Sequence, residues 1–207
     1  MKKNSKSITI ALTAGRLPLN QLELIFELAR QHGLGIYLTT LQNVRLTGIS
    51  EESFDAIKAR LVALGAVVKR PGLFPVPRVC VGSPHCKLAL IDTEVISQRI
   101  LDYFSSMDAV KPKLKIAVSA CPASCSGTVL SDIGIMATRS GYDVYAGGMG
   151  GPMPRNGRRV LRRADEAGML AAVQKLIDFH QASPGKKKRM RKLIDAPDFP
   201  FKVESDK

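Results

Sequence analysis

Lys113-Leu114-Lys115-Ile116-Ala117-Val118-Ser119-Ala120-Cys121-Pro122-Ala123-Ser124-Cys125 is the stretch on which the fold and the chemistry turn. Lys113, Lys115 and Ala117 alternate with Leu114, Ile116 and Val118, which reads as a strand over 113–119 that ends at the Cys121-Pro122 step. That strand carries a pair of cysteines onto a loop. A second pair, Cys80 and Cys86 around Val81-Gly82-Ser83-Pro84-His85, follows Pro71, Gly72, Pro75 and Pro77, a stretch too broken for helix. Zinc knuckles usually separate their cysteines by about two to four residues. The gap in the second pair is allowed and that in the first is long. An iron–sulfur cluster tolerates wider, uneven spacing because its irons lie at separate corners. Spacing favours a cluster and leaves zinc, or unligated or disulfide-bonded cysteines, open.

Upstream of the cysteines, residues 8–12 read as a strand and 18–31 as a helix with Leu19, Leu22, Ile25, Phe26 and Ala29 on one side. Residues 35–40 and 43–49 read as strands. Ser50 caps a helix reaching residue 64, with Phe54, Ile57, Leu61 and Leu64 as its stripe, and 66–69 is a last strand. This is the split βαβ order. Downstream, 87–104 reads as helix, 133–138 and 142–146 as strands, and 163–181 as a helix burying Leu170, Val173, Ile177 and Phe179. The expected fold class is α+β, with boundaries at 1–70, 71–183 and a basic tail over 184–207. The cysteine pattern occurs once, so one metal centre is expected per chain.

At 207 residues the chain can bury one large core or two small ones. No apolar run approaches the roughly 20 residues of a bilayer span. Residues 8–12 are too short for a secretory h-region, so a cytoplasmic protein is expected. In that compartment cysteines serve more often as metal ligands or redox groups than as disulfides. Lys and Arg total 31 against 18 Asp and Glu, a net charge of +13. Such a surface attracts nucleic acid, anionic lipid, acidic proteins or a cofactor with many carboxylates. Aromatics at 5%, with no Trp, supply few base-stacking platforms, which disfavours nucleic acid.

Several words recur in a known order. They are Ala14-Gly15-Arg16-Leu17, Leu38-Thr39-Thr40-Leu41-Gln42-Asn43-Val44, Cys80-(five residues)-Cys86-Lys87-Leu88-Ala89, Ala120-Cys121-Pro122-Ala123-Ser124-Cys125, Ser131-Asp132-Ile133-Gly134 and Tyr145-Ala146-Gly147-Gly148. Over about residues 8–180 the chain resembles the siroheme-containing nitrite and sulfite reductases, and at this length their small, single-unit sulfite reductases. The resemblance implies a ferredoxin-like half-domain over 1–70 and a mixed α/β cluster domain over 71–183. It implies a [4Fe-4S] cluster on Cys80, Cys86, Cys121 and Cys125, with Cys125 also ligating siroheme. It further implies six-electron reduction of sulfite to sulfide, or of nitrite to ammonia. No dinucleotide-binding motif is visible, because Gly147-Gly148-Met149-Gly150-Gly151 does not fit G-x-G-x-x-G. Electrons are therefore expected from a separate carrier, an acidic protein such as a ferredoxin, with residues 186–192 as a candidate docking surface. A homodimer is a reasonable expectation for a chain holding one half of the long family members.

Siroheme carries eight carboxylates and its substrate is an anion, which gives the basic excess a use. The resemblance assigns anion binding to Lys113 and Lys115, which strand alternation would place on one face. Lys111 and Arg78 lie close to the same motifs. Thr40, Gln42, Asn43, Arg78, Gly147 and Gly148 are the remaining candidates for holding the haem. Leu41 departs from the family, which usually has an arginine between the Thr pair and the Gln. Arg45 lies four residues on, about 13 Å along the same strand face, and is the candidate replacement. Ala123 in place of the usual Asn is a milder departure. A cluster- or tetrapyrrole-binding electron-transfer protein without reductase activity is the alternative that Leu41 favours, and a zinc-dependent nucleic-acid binder is a third. His85 reads as an exposed loop residue, His32 and His180 as structural.

Overall fold

Ile8 and Ile10 alternate with Ser7 and Thr9, so β1 (Lys6–Ala11) buries one face and leaves the other more open. The computed structural model describes residues 5–185 and 188–202, and it divides into two compact units, Met1–Arg70 and Pro71–Lys207. In the first unit β1 is followed by α1 (Leu19–His32), β2 (Gly35–Leu38), β3 (Val44–Ile49), α2 (Glu51–Ala63) and β4 (Val67–Val68). The four strands pair antiparallel in the order β2-β3-β1-β4, the arrangement expected from the split βαβ reading. Ser50 caps α2 by accepting the Ser53 N–H at 3.3 Å, and Glu51 and Glu52 stand in the first turn beside the positive end of the helix dipole.

Ile8, Ile10, Leu24, Ile25, Leu28, Val44, Leu46, Ile57 and Leu61 form the core of this unit. The buried stripe of α1 is not the one expected. Gln21, Leu24, Ile25 and Leu28 face inward, whereas Leu19, Leu22 and Phe26 are exposed. Leucines occur around most of α1, and the polar stripe Glu23, Glu27 and Arg30 sets the direction. Burial falls on the side opposite those three charges, even at the cost of enclosing Gln21.

The second unit holds a five-stranded mixed sheet in the order β5-β6-β7-β8-β9. Its elements are β5 (Arg78–Val79), α3 (Thr93–Tyr103), β6 (Ile116–Ser119), β7 (Ile133–Thr138), β8 (Gly141–Ala146), β9 (Arg158–Ala164) and α4 (Glu166–Ala182). β5, β6 and β7 are parallel, and β8 and β9 return antiparallel. Four expectations change here. Helix α3 begins at Thr93 rather than at 87, because the Asp92 side chain accepts the Glu94 and Val95 N–H groups and caps it. Strand β6 begins at Ile116, because Lys113 takes a positive φ of 79° that breaks extended chain. Residues 158–164 form β9, and α4 starts only after Asp165, whose side chain accepts the Gly168 N–H at 2.8 Å. The described part of the expected tail is packed rather than solvated. Met190, Leu193 and Ile194 are buried, and Phe199 stands edge-on to Phe179 at 5.3 Å. Lys186 and Lys187 lie outside the described residues. Among the described residues no helix is long and apolar enough to cross a membrane.

Candidate functional site

Parallel pairing of β5 with β6, in the register Arg78↔Ala117 and Val79↔Val118, makes both strands end on the same side of the sheet. Cys80 follows β5 directly, and Cys121 follows β6 after Ala120. Cys80 is fixed through three atoms. Its N–H donates to Val118 O at 3.3 Å, its carbonyl accepts from Thr93 Oγ1 at 2.7 Å, and its Sγ accepts the Ala120 N–H at 3.2 Å. An N–H···S bond of this kind holds the sulfur in place and tunes a bound metal centre. Cys86 sits in a turn in which its N–H donates to Gly82 O at 2.9 Å. Leu90 N–H donates to Ala120 O at 2.9 Å, so the loop that bears Cys86 is strapped to the start of the second cysteine loop.

That second loop is held from beneath. Ser119 and Ser126 share a buried hydrogen bond between their hydroxyls at 2.6 Å, and Ser126 N–H donates to Ser119 Oγ at 3.3 Å. Ser124, in the left-handed region at φ 55°, reverses the chain. The pinned ends leave Cys125 exposed at the rim, while Cys80, Cys86 and Cys121 are partly buried. All four are free cysteines. Among the described residues no three His, Cys, Asp or Glu side chains group around a single ion position. Two cysteine-bearing loops at one end of a parallel strand pair fit a cluster, whose thiolates attach to separate corners, better than one tetrahedral zinc.

Arg78 lies in β5 two residues before Cys80 and packs against the second loop, where a Cβ on Gly127 would come within 2.8 Å of its Nη2. Gly127 has φ 68°, so both space and backbone favour glycine there. The Arg78 Nε is buried without a hydrogen-bond partner. A buried guanidinium N–H without an acceptor is costly, and a carboxylate or small anion would satisfy it. On this observation the residues fit an anionic haem beside a cluster.

The remaining candidates fall in different places. Asn43 is buried and its Oδ1 accepts the Leu12 N–H at 3.2 Å. It therefore ties the loop of residues 12–16 to the β2–β3 hairpin, which brings two of the family-like words together within the first unit. Residues 39–43 form the hairpin turn, with Gln42 N–H donating to Thr39 O at 3.0 Å and Gln42 at φ 60°. Leu41 and Thr40 thus stand on a turn and not on a strand, which removes the strand-face argument for Arg45. Arg45 lies opposite Thr9, and its Nη2 donates to Ser7 Oγ at 2.7 Å, one step further from the turn, so it does not replace a guanidinium at Leu41.

Lys113 and Lys115 are exposed and precede β6, whereas Cys121 follows it. Roughly 13 Å of strand separates them, more than a lysine side chain spans. The expectation that alternation sets both on one face of the strand entering Cys121 is not met, because both precede the strand and Lys113 has a positive φ. Lys111 is a tether, its Nζ donating to Ser183 O at 2.6 Å. Gly147 and Gly148 are buried by close approach. The Gly147 N–H donates to Asp132 O at 2.9 Å, and a Cβ on Gly148 would fall 2.2 Å from Val129 O. Gly147 is therefore committed to the fold rather than to cradling carboxylates. His85 is exposed, and His180 is buried with its Nε2 on Lys188 O at 2.9 Å. The sequence reading missed the depth of Asp132, which is fully buried beside Arg189. Burial raises its pKa above the ordinary carboxylate value, against the lowering effect of the Arg189 guanidinium.

The family follows from this fold and this site together. Residues 76–199 match the model of the nitrite and sulphite reductase 4Fe-4S domain, and residues 1–64 match that of the nitrite/sulfite reductase ferredoxin-like half domain. The chain belongs to the nitrite and sulfite reductase family. It is similar to an assimilatory-type sulfite reductase of Nitratidesulfovibrio vulgaris, at 24% identity over 87% of this chain and 83% of the relative. It is also similar to the large subunit of a nitrite reductase [NAD(P)H] of Klebsiella oxytoca, at 26% identity over 94% of this chain but only 20% of that protein. Among solved structures, the NirA protein of Mycobacterium tuberculosis superposes with a TM-score of 0.75 at 21% identity, over 92% of this chain and 38% of NirA. Dissimilatory sulfite reductase I superposes with a TM-score of 0.76 at 12% identity, over 92% of this chain and 66% of that chain. These likenesses bear out the α+β fold, a ferredoxin-like half-domain followed by a mixed α/β cluster domain.

Proposed function

We propose that the chain is the catalytic unit of a siroheme- and [4Fe-4S]-dependent reductase that converts sulfite to sulfide, or nitrite to ammonia, with electrons from a separate acidic carrier such as a ferredoxin. The observation that carries this reading is the pair of cysteine loops at one end of β5 and β6, with the buried, unpartnered Arg78 Nε beside them. Cys80, Cys86, Cys121 and Cys125 would hold the cluster, and exposed Cys125 is the thiolate best placed to be shared with the haem iron. When bound, the two groups supply stored electrons and an iron at which the anion is reduced.

The chain's own contribution is positional and electrostatic. Thr93 and the Ala120 N–H hold Cys80 in place, and the Ser119–Ser126 pair fixes the loop that presents Cys125. Arg78 would donate from its buried Nε to a haem carboxylate, or to the anion itself. Leu41, on the first unit's hairpin turn, stands where the family usually has an arginine. Reductase activity is tested by sulfite and nitrite turnover with dithionite-reduced methyl viologen on siroheme-loaded protein. Turnover of either anion supports the reading. Stable cluster and haem without turnover of either would replace it with the electron-transfer role. Arg78→Gln is expected to lower siroheme retention roughly tenfold, about the worth of one charge-assisted hydrogen bond, and to leave cluster iron unchanged.

A further inference from the structure

Asp132 is a junction. Its Oδ1 accepts from Arg189 Nε at 2.7 Å and from Met190 N–H at 3.1 Å, and its Oδ2 accepts the Lys115 N–H at 3.0 Å. Its backbone carbonyl accepts the Gly147 N–H at 2.9 Å. The carboxylate is fully buried, and Arg189 supplies its charge partner from a segment far along the chain. From Ser131, the residue before Asp132, a short series of hydrogen bonds runs back to the second cysteine loop. Ser131 Oγ donates to Gly127 O at 3.0 Å, Gly127 N–H donates to Ser124 O at 2.7 Å, and Ser124 and Thr128 share a bond between hydroxyls at 2.5 Å. Met190 and Ile194 seal the junction, and a Cβ on Gly147 would strike Ile194 Cδ1 at 2.8 Å. The loop from Cys121 to Asp132 has no α-helix of its own to stiffen it, only the three-residue turn Thr128–Leu130.

We propose that the segment from Arg189 to Ile194 is a strap that positions the Cys121–Cys125 loop, with Arg189 as a positioning residue acting through Asp132. The cluster part of this inference rests on the cofactor reading given above, whereas the strap itself concerns only this chain's own residues. Removing one partner of a buried ion pair leaves an uncompensated charge, and a neutral residue at 189 would loosen Asp132 and the bonds that run from Ser131 beside it to Gly127. Local opening would then become easier without global unfolding.

The test compares full-length wild type, Arg189→Gln and Arg189→Lys by amide hydrogen exchange on apo protein, and by the rate of iron loss to a chelator together with the EPR signal of the reduced cluster. The expected result is exchange at residues 126–132 about tenfold faster in Arg189→Gln, chelator-driven iron loss faster by a similar factor, an altered EPR line shape, and partial rescue in Arg189→Lys. Unchanged exchange at 126–132, or exchange accelerated equally over β7, β8 and α4, would overturn the strap. Faster exchange with an unchanged cluster signal and unchanged iron loss would overturn its effect on the cluster. If wild type takes up no cluster, the cofactor reading fails, while exchange still decides whether the strap exists. Should Arg189→Gln not fold, Arg189→Lys is read on the same scale, because the guanidinium fork that reaches Asp132 is lost while the charge is kept.

Discussion

Replacing Cys121 by serine is expected to reduce bound iron and acid-labile sulfide to under about a tenth of wild type, with the far-UV spectrum of the fold retained. A hydroxyl at this position stays protonated at neutral pH and does not substitute for a thiolate as a ligand. Cys121 stands where both loops meet, since its neighbour Ala120 donates to Cys80 Sγ and accepts from Leu90. Loss of its sulfur would therefore remove one of the four thiolates proposed to hold the cluster, at the point where the two loops are bonded together. Iron and sulfide analysis of anaerobically reconstituted protein measures the effect. Iron retained at the wild-type level would mean that Cys121 is not a ligand.

Gly134→Ala is expected to destabilise the second unit by about 3 kcal/mol, and to lower cluster content with it. The loop of residues 120–132 leaves β6 and returns to β7, and Gly134 is a place where its backbone lies hard against the sheet. An added Cβ would lie 2.2 Å from Thr128 O and 2.7 Å from Thr128 C, both backbone atoms that cannot rotate away. The loop would have to lift, and Thr128 is the residue that braces Ser124 beside Cys125. Gly150→Ala is the matched control, because a Cβ there meets nothing within 4 Å. It is expected to change stability by less than about 0.5 kcal/mol. Urea unfolding of both variants separates the two. Equal midpoints would contradict the close-approach argument.

The cysteine pairs were legible in the sequence because ligand identity and spacing survive any error in the elements around them. The first unit was legible as well, since Ile8–Ile10, Val44–Leu46 and Ile57–Leu61 keep their periods through to the observed core. Errors arose where a local pattern continued past the element that it described. Lys113-Leu114-Lys115 alternates like a strand, yet the positive φ at Lys113 is imposed by the turn that brings the chain into β6. Residues 158–164 are rich in arginine with little apolar alternation, and β9 forms because its neighbour supplies acceptors. Asp143 takes the Arg163 N–H at 2.9 Å and Arg159 Nη1 at 3.4 Å. A charged edge strand of this sort is read only with its partner in view. The same holds for Arg189, whose neighbours in the chain are basic and whose own partner, Asp132, lies buried in the bend just before β7. Arg78 lies close in sequence to a family motif, and its orphaned Nε is visible only in three dimensions.

The most direct test of the central claim is the visible spectrum and metal content of protein purified anaerobically from a host that makes siroheme. The account predicts siroheme bands, and about five irons per chain with about four acid-labile sulfides, one iron belonging to the haem and the rest to the cluster. Zinc bound in place of iron, with no haem bands after reconstitution with iron, sulfide and siroheme, would contradict it.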